Sequence, residues 1–353
     1  MSWAPLFQTN PNPDDTSALL SGTFWWYQVY CTGGGQENKR NWDYWNFIRT
    51  GVKDPNASGR DALLDYRIYS LDDSDTLRKY DLSFNLLDSA TVNNPRALDI
   101  DPQYVFTGSD GDGVVRHSKA NLSATVQGPT ASTTDVTVAA DRSIYAATGE
   151  VRKIEPDTMT EEAQSSTGGS IETLNDDGTS LFCGESSNDR IRELSLDTLQ
   201  QLQTSGVNGV TQMVTDSEHI YTAEGLVDYY KYNKSNLNQD ATTSKVAATN
   251  FTKGIVFARS GNIVATYGDT GGNTHLIELD TSLSTVRDVD VSGNLTGPIT
   301  GIVQVPDGRF FVSTAGGEIV EFDASFNFNN NSVVPAGGQN VVDIVYDVEI
   351  RYP

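Results

Sequence analysis

Residues 299–327, ITGIVQVPDGRFFVSTAGGEIVEFDASFN, carry a pattern that returns along most of this chain. A short apolar strand leads into a polar turn holding Asp-Gly, and a strand with an apolar pair follows. A Gly-rich turn then gives way to a strand reading apolar-x-x-apolar-acid, and a polar turn ends in Leu, Met or Phe. The same order reads through DVTVAADRSIYAATGEVRKIEPDTMT (135–160) and IETLNDDGTSLFCGESSNDRIRELSLDTLQ (171–200). Taking the second residue of the apolar pair as a marker gives Tyr69, Val105, Tyr145, Phe182, Tyr221, Val264 and Phe311, spaced by 36, 40, 37, 39, 43 and 47 residues. The next strand supplies a second marker at Asp81, Ser118, Glu155, Ser195, Asn233, Asp280 and Asp323.

A period near 40 with four short strands per unit is the spacing of β-propeller blades, each a small sheet that buries its faces against its neighbours. Leucine-rich repeats are shorter, and helical repeats need a 3.6-residue periodicity. The stretch SNDRIRELSLDTLQQLQ (187–203) has a helical cast, but its alignment with sibling units predicts strands. The first unit, starting near Leu64, lacks a leading strand, while VVDIVYDVEIRYP (341–353) reads as a leading strand with no unit after it. The fold expected is therefore all-β: a seven-bladed β-propeller over 65–353, closed by its C-terminal strand, which removes two open sheet edges. The blade phrases resemble the YVTN, NHL and quinoprotein-like group of seven-bladed propellers. WD40 proteins look less similar, since no tryptophan lies beyond Trp45.

The chain has 353 residues, 24 Lys plus Arg against 47 Asp plus Glu, and a formal net charge of −23. Such a surplus of acid argues against a general nucleic-acid binder, which needs a basic face for phosphates. No long apolar run suggests a transmembrane helix, and the opening MSWAPLFQTNPNPDD does not read as an export signal. At molar salt the Debye length is roughly 3 Å, so self-repulsion on this scale is screened. The composition resembles that of haloarchaeal proteins or of the viruses of such hosts.

The charge is unevenly placed. Residues 1–64 hold six acids and five bases, leaving 41 acids and 19 bases for 65–353. All five tryptophans lie in that near-neutral N-terminal part. This composition suits desolvated contact. Residues 1–64 are thus expected to dock the propeller onto an assembly or to cap it, with Trp3, Trp25, Trp26, Tyr27, Trp42, Trp45 and Phe47 as the contact residues.

Signals for chemistry are weak. His117, His219 and His275 fall at unequal blade positions, so no shared metal or acid–base site is expected. Asp110-Gly111-Asp112-Gly113 has the oxygen ligands of a calcium loop at its start, but Val114 breaks the alternation, which favours a hairpin tip with glycines at positive φ. Cys183, in SLFCG, reads as a core residue. No catalytic residue, metal or cofactor is assigned. The expectation is a non-enzymatic binding protein: a spike, turret or tail adhesin on the virion surface of a haloarchaeal virus. It would join other virion proteins through residues 1–64 and a host glycan or protein through its loops. The alternatives are a carbohydrate-active or lactone-hydrolysing propeller enzyme and a cellular interaction scaffold.

Overall fold

A computed structural model describes residues 63–351, apart from 140, 166–168, 208, 225–227, 245–247, 251–253 and 330–339. Seven small antiparallel sheets form a ring. One 3-10 turn, Ser292–Asn294, is the only helical element among the described residues. In blade 1 the strands run outward in the order Val341–Arg351, Leu63–Asp72, Thr76–Asp81 and Leu86–Thr91. The last strand of the chain is thus the inner strand of the first blade, paired from Leu63 opposite Arg351 to Asp72 opposite Val341. Blades 2 to 5 are four-stranded, beginning at Pro95, Asp135, Ile171 and Val210. Blade 6 has its inner strand broken into Ala248–Asn250 and Ile255–Phe257. Blade 7 shows Ile299–Gln304, Phe310–Thr314 and Ile319–Phe322, with a single bridge from Phe322 to Phe328 where a fourth strand begins. The stretch 187–203 is strand on both sides of a turn, Arg190–Ser195 and Gln201–Gly206.

The marker pair is right in six blades and slips by one residue in blade 2. Tyr145, Phe182, Tyr221, Val264, Phe311 and Tyr69 each pack toward the following blade. In blade 2 that place belongs to Phe106, packed with Val136 and Ile144 of blade 3, while Val105 faces back into blade 1. Tyr104-Val105-Phe106 is continuously apolar, and a slip of one residue in a strand exchanges the two sheet faces. The structural repeat therefore runs Tyr69, Phe106, Tyr145, all fully buried.

Seven apolar clusters fill the seven gaps between blades. The turn after each third strand, or in blade 2 the start of the fourth strand, adds a plug to the cluster behind it: Phe84, Leu122, Met159, Leu199, Leu237, Leu283 and Phe326, all buried. Six of these, all but Leu122, sit at positive φ, from 52° at Leu237 to 65° at Leu283. Left-handed backbone costs an L-residue about 1–2 kcal/mol. Burying a Leu or Phe side chain contributes about 1.5–3 kcal/mol, so the plug is retained despite its conformation. The second sequence marker explains how the turn is held. Asp81 Oδ1 accepts N–H bonds from Ser83 and Asn85, both at 2.9 Å, and Asp280 and Asp323 do the same for their own turns.

Across from each buried marker, the third strand carries a charge: Lys79, Arg116, Lys153, Glu193, Lys231, Glu278 and Glu321. Three of the cations donate to turn carbonyls of the next blade: Lys79 to Lys119 O at 2.9 Å, Arg116 to Pro156 O at 2.6 Å and Lys231 to Thr281 O at 2.9 Å. At two of the three Glu positions the carboxylate holds a donor on the fourth strand instead. Glu193 binds Gln203, which reaches Lys234 O, and Glu278 binds Arg287, which reaches Ala324 O. Lys119–Asp347 and Lys234–Asp177 add ion pairs at 2.5 and 2.7 Å across two of the same seams, between blades 1 and 2 and between blades 4 and 5. Several of the cations are thus drawn into the seams between blades.

Strand Leu63–Asp72 begins six residues before its marker, whereas Tyr104–Ser109 and Ser180–Glu185 begin two before theirs. Residues 63–66, paired with 348–351, therefore continue past the blade as a two-stranded ribbon of about 13 Å. Both described ends of the chain leave the ring there, on the face opposite the hairpins that join second and third strands.

Candidate functional site

Trp3, Trp25, Trp26, Tyr27, Trp42, Trp45 and Phe47 lie outside the described residues. The three histidines lie in three blades. His117 is buried, with Nε2 3.1 Å from Thr107 Oγ1 and Nδ1 2.9 Å from Leu122 O, and burial lowers its pKa. Both ring nitrogens of His219 lie 3.5 Å from carboxylates, of Asp216 and Asp240. His275 Nδ1 lies 2.9 Å from Asp288 Oδ1, and its ring stacks on Tyr267 at 4.6 Å. Among the described residues, no group of three or more His, Cys, Asp or Glu side chains is arranged to hold a metal ion.

The acidic hairpin of blade 2 is engaged in structure. Asp110 Oδ2 accepts from Arg96 Nε at 2.7 Å and Oδ1 from Ser132 at 2.6 Å, which holds the carboxyl below its usual pKa. Asp112 Oδ2 accepts the Asn93 N–H at 3.1 Å. Only Gly113 of the two glycines has positive φ, at 71°, and a Cβ there would lie 2.0 Å from Pro129 O. Cys183 is fully buried between blades 3 and 4, and burial pushes its thiol pKa up.

The central channel holds three carboxylates that the sequence did not mark. Each lies on an inner strand, bonds the next residue's N–H with one oxygen and reaches the following blade with the other. Asp343 Oδ2 accepts from Leu98 N at 2.9 Å, Asp99 from Val138 N at 2.7 Å and Asp135 from Leu174 N at 2.6 Å. Inner strands have one edge open to the axis, and these bonds satisfy part of it across blades 1 to 4. Asp99 and Asp135 keep some contact with channel solvent yet are enclosed by inner strands. That enclosure, with the Asp176 and Asp343 charges, pushes Asp99 up to about 7 against two backbone bonds that pull it down. Asp135 is raised by the same desolvation, with Asp343 and Asp99 adding to it. Asp99 stands opposite the buried marker Phe106, whereas Asp343 stands opposite Leu71 and Asp135 opposite Ala147, two residues along from their markers.

These features define the chain as a seven-bladed β-propeller closed by its C-terminal strand. No protein-family model matches the sequence, and no curated protein matches it. Solved structures do share the fold. A proposed 6-phosphogluconolactonase from Bacteroides uniformis superposes with a TM-score of 0.64 at 13% identity, over 80% of this chain and 99% of its own. The WD40 β-propeller domain of Doa1 gives 0.57 at 12% identity, over 73% and 91%. The dihydro-heme d1 dehydrogenase NirN gives 0.57 at 12% identity, over 77% and 64%. A proposed lactonase, a WD40 domain and a dihydro-heme d1 dehydrogenase on one scaffold leave the activity open, since function belongs to sites and not to the ring. No helix among the described residues is long and apolar enough to cross a membrane.

Proposed function

We propose that this propeller is a non-enzymatic binding module displayed from a larger assembly. Its concrete form is a spike, turret or tail adhesin on the virion surface of a haloarchaeal virus. One observation carries the reading: Leu63 and Arg351 face each other at the tip of a ribbon that leaves one face of the ring. The chain reaches that face from residues 1–62, which hold all five tryptophans, so this reading assigns the attachment to them and the hairpin face to a host glycan or protein. The carboxylates and histidines described above are engaged with backbone, seams or each other, which supports binding without turnover. The acid surplus suits molar salt, where exposed like charges are screened.

Removing residues 1–60 tests the attachment. A soluble propeller that no longer enters its assembly is the expected product; unchanged incorporation, or turnover of a sugar or lactone by the free chain, refutes the proposal. Melting against KCl tests the salt adaptation, with loss of the fold in dilute buffer as the expected result.

A further inference from the structure

Among the described residues, every Lys and Arg side chain but one holds a carboxylate or a backbone carbonyl. The one left over is Arg259, which is exposed and whose guanidinium donates to nothing among the described residues. A spare Arg is ordinary on a neutral surface. In a chain with 24 bases for 47 acids it is out of character, because carboxylates are in excess nearly everywhere.

Arg259 stands in the turn between Ile255–Phe257 and Ile263–Asp269, on the face from which the ribbon leaves. The turn is fixed. Arg259 N donates to Gln304 Oε1 of blade 7 at 2.7 Å, and the N–H groups of Ala258 and Gly261 bond within the turn at 2.8 and 2.9 Å. The Arg259 charge acts on the Tyr66 hydroxyl, at the foot of the ribbon, and on Asp307 of blade 7, so these groups share one patch. Asp307 is already answered by Arg309, whose Nε lies 2.9 Å from it, and Arg309 also reaches Glu321 at 3.0 Å. With Arg259 added, the patch lacks the acid surplus that the chain carries overall.

The partner's chemistry follows from the lone guanidinium. Its planar fork matches the two oxygens of a carboxylate. A phosphate carries more negative charge and calls for several donors, whereas here a single free guanidinium stands near the Asp307 carboxylate. Two acid-rich proteins repel over most of their surfaces and approach best where a cation is spare. At molar salt a directly bonded pair still holds, since its length does not exceed the Debye length of roughly 3 Å.

We infer that Arg259 anchors the attachment face by taking a carboxylate from an acidic protein of the assembly, beside the foot of the ribbon. The inference rests on the display reading and adds to it the contact residue and the charge of the partner.

The test expresses tagged parent and variant full-length chains together in the producing cells and compares their shares in the purified assembly. Arg259→Glu should fall about tenfold below the parent, the scale of one charge-assisted pair lost at an interface. Arg259→Lys keeps the charge without the fork and should fall less. Both should melt with the parent, because the side chain bonds nothing in the described ring. Arg96→Glu makes the same charge change on the hairpin face, in an exposed pair with Asp110, and should be incorporated like the parent. Equal shares of parent and Arg259→Glu overturn the inference, as does a loss that Arg96→Glu matches. Release of the parent chain by detergent alone overturns it in favour of a lipid headgroup. Incorporation of the 1–60 deletion separately decides the display reading.

Discussion

Asparagine in place of Asp99 should make this protein more stable at pH 8 and change it little at pH 5. The unfolded chain releases the Asp99 proton near pH 3.8, whereas the folded channel retains it to about 7. Between those limits the folded state binds more protons, so acidification stabilises it, and the contribution fades as pH rises through 7. The whole shift corresponds to about 4 kcal/mol, of which about 3 kcal/mol is recovered between pH 8 and pH 5. The asparagine side chain resembles the protonated carboxyl in shape and cannot ionise. It keeps one carbonyl acceptor for Val138 N or Ile100 N and loses the other, an offset of about 1 kcal/mol at every pH. The stability difference between Asp99→Asn and the parent should therefore move by about 3 kcal/mol from pH 5 to pH 8, in favour of the variant at the alkaline end. Carboxylates common to both proteins largely cancel. The exception is Asp135, whose rise is due in part to the Asp99 charge and should relax slightly in the variant. Urea unfolding followed by far-UV circular dichroism is the assay, because every tryptophan lies before residue 46 and fluorescence would not report the ring. Parallel stability curves at pH 5 and pH 8 would refute the channel assignment.

Deleting 340–353 strips blade 1 of its inner strand together with the buried Val341, Ile344 and Val348, and cooperative melting should disappear. A sharp transition retained by that deletion, read by the same dichroism, would contradict closure. At Leu237, where φ is 52° and the side chain is fully buried, truncation should cost about 2–4 kcal/mol. Here Gly should be better than Ala by about 1 kcal/mol, the reverse of the order in an ordinary strand, since the left-handed region penalises Cβ. Denaturant midpoints of Leu237→Gly and Leu237→Ala decide it.

Repetition made the ring legible. Asp81, Ser118, Glu155, Ser195, Asn233, Asp280 and Asp323 stand out in sequence because each ends or directly follows a third strand and most cap the turn there, a local role with a local signature. Val105 misled because Tyr104-Val105-Phe106 offers no polar residue to set the parity of the strand. The missing first strand of blade 1 and the orphan strand at 341–351 could be matched, since each is incomplete without the other. The channel was not readable in this way. Asp99 meets Val138, and Asp343 meets Leu98 across 245 positions, by bonds between blades that leave no spacing in the chain. Abundant Asp in the turns hid the few that face the axis.

Closure by the final strand also orders events in time. The inner strand of blade 1 is the last part of the ring to leave the ribosome, so the nascent propeller waits as an open arc. Its two end faces, around Phe311 on one side and Ile68 on the other, have nothing to seal them until residues 341–348 arrive. A premature stop or frameshift upstream of that point yields an arc with both faces bare, a species suited to aggregation or degradation. Closure of the ring therefore waits on residues 341–351, and a message cut short of them yields no closed circle.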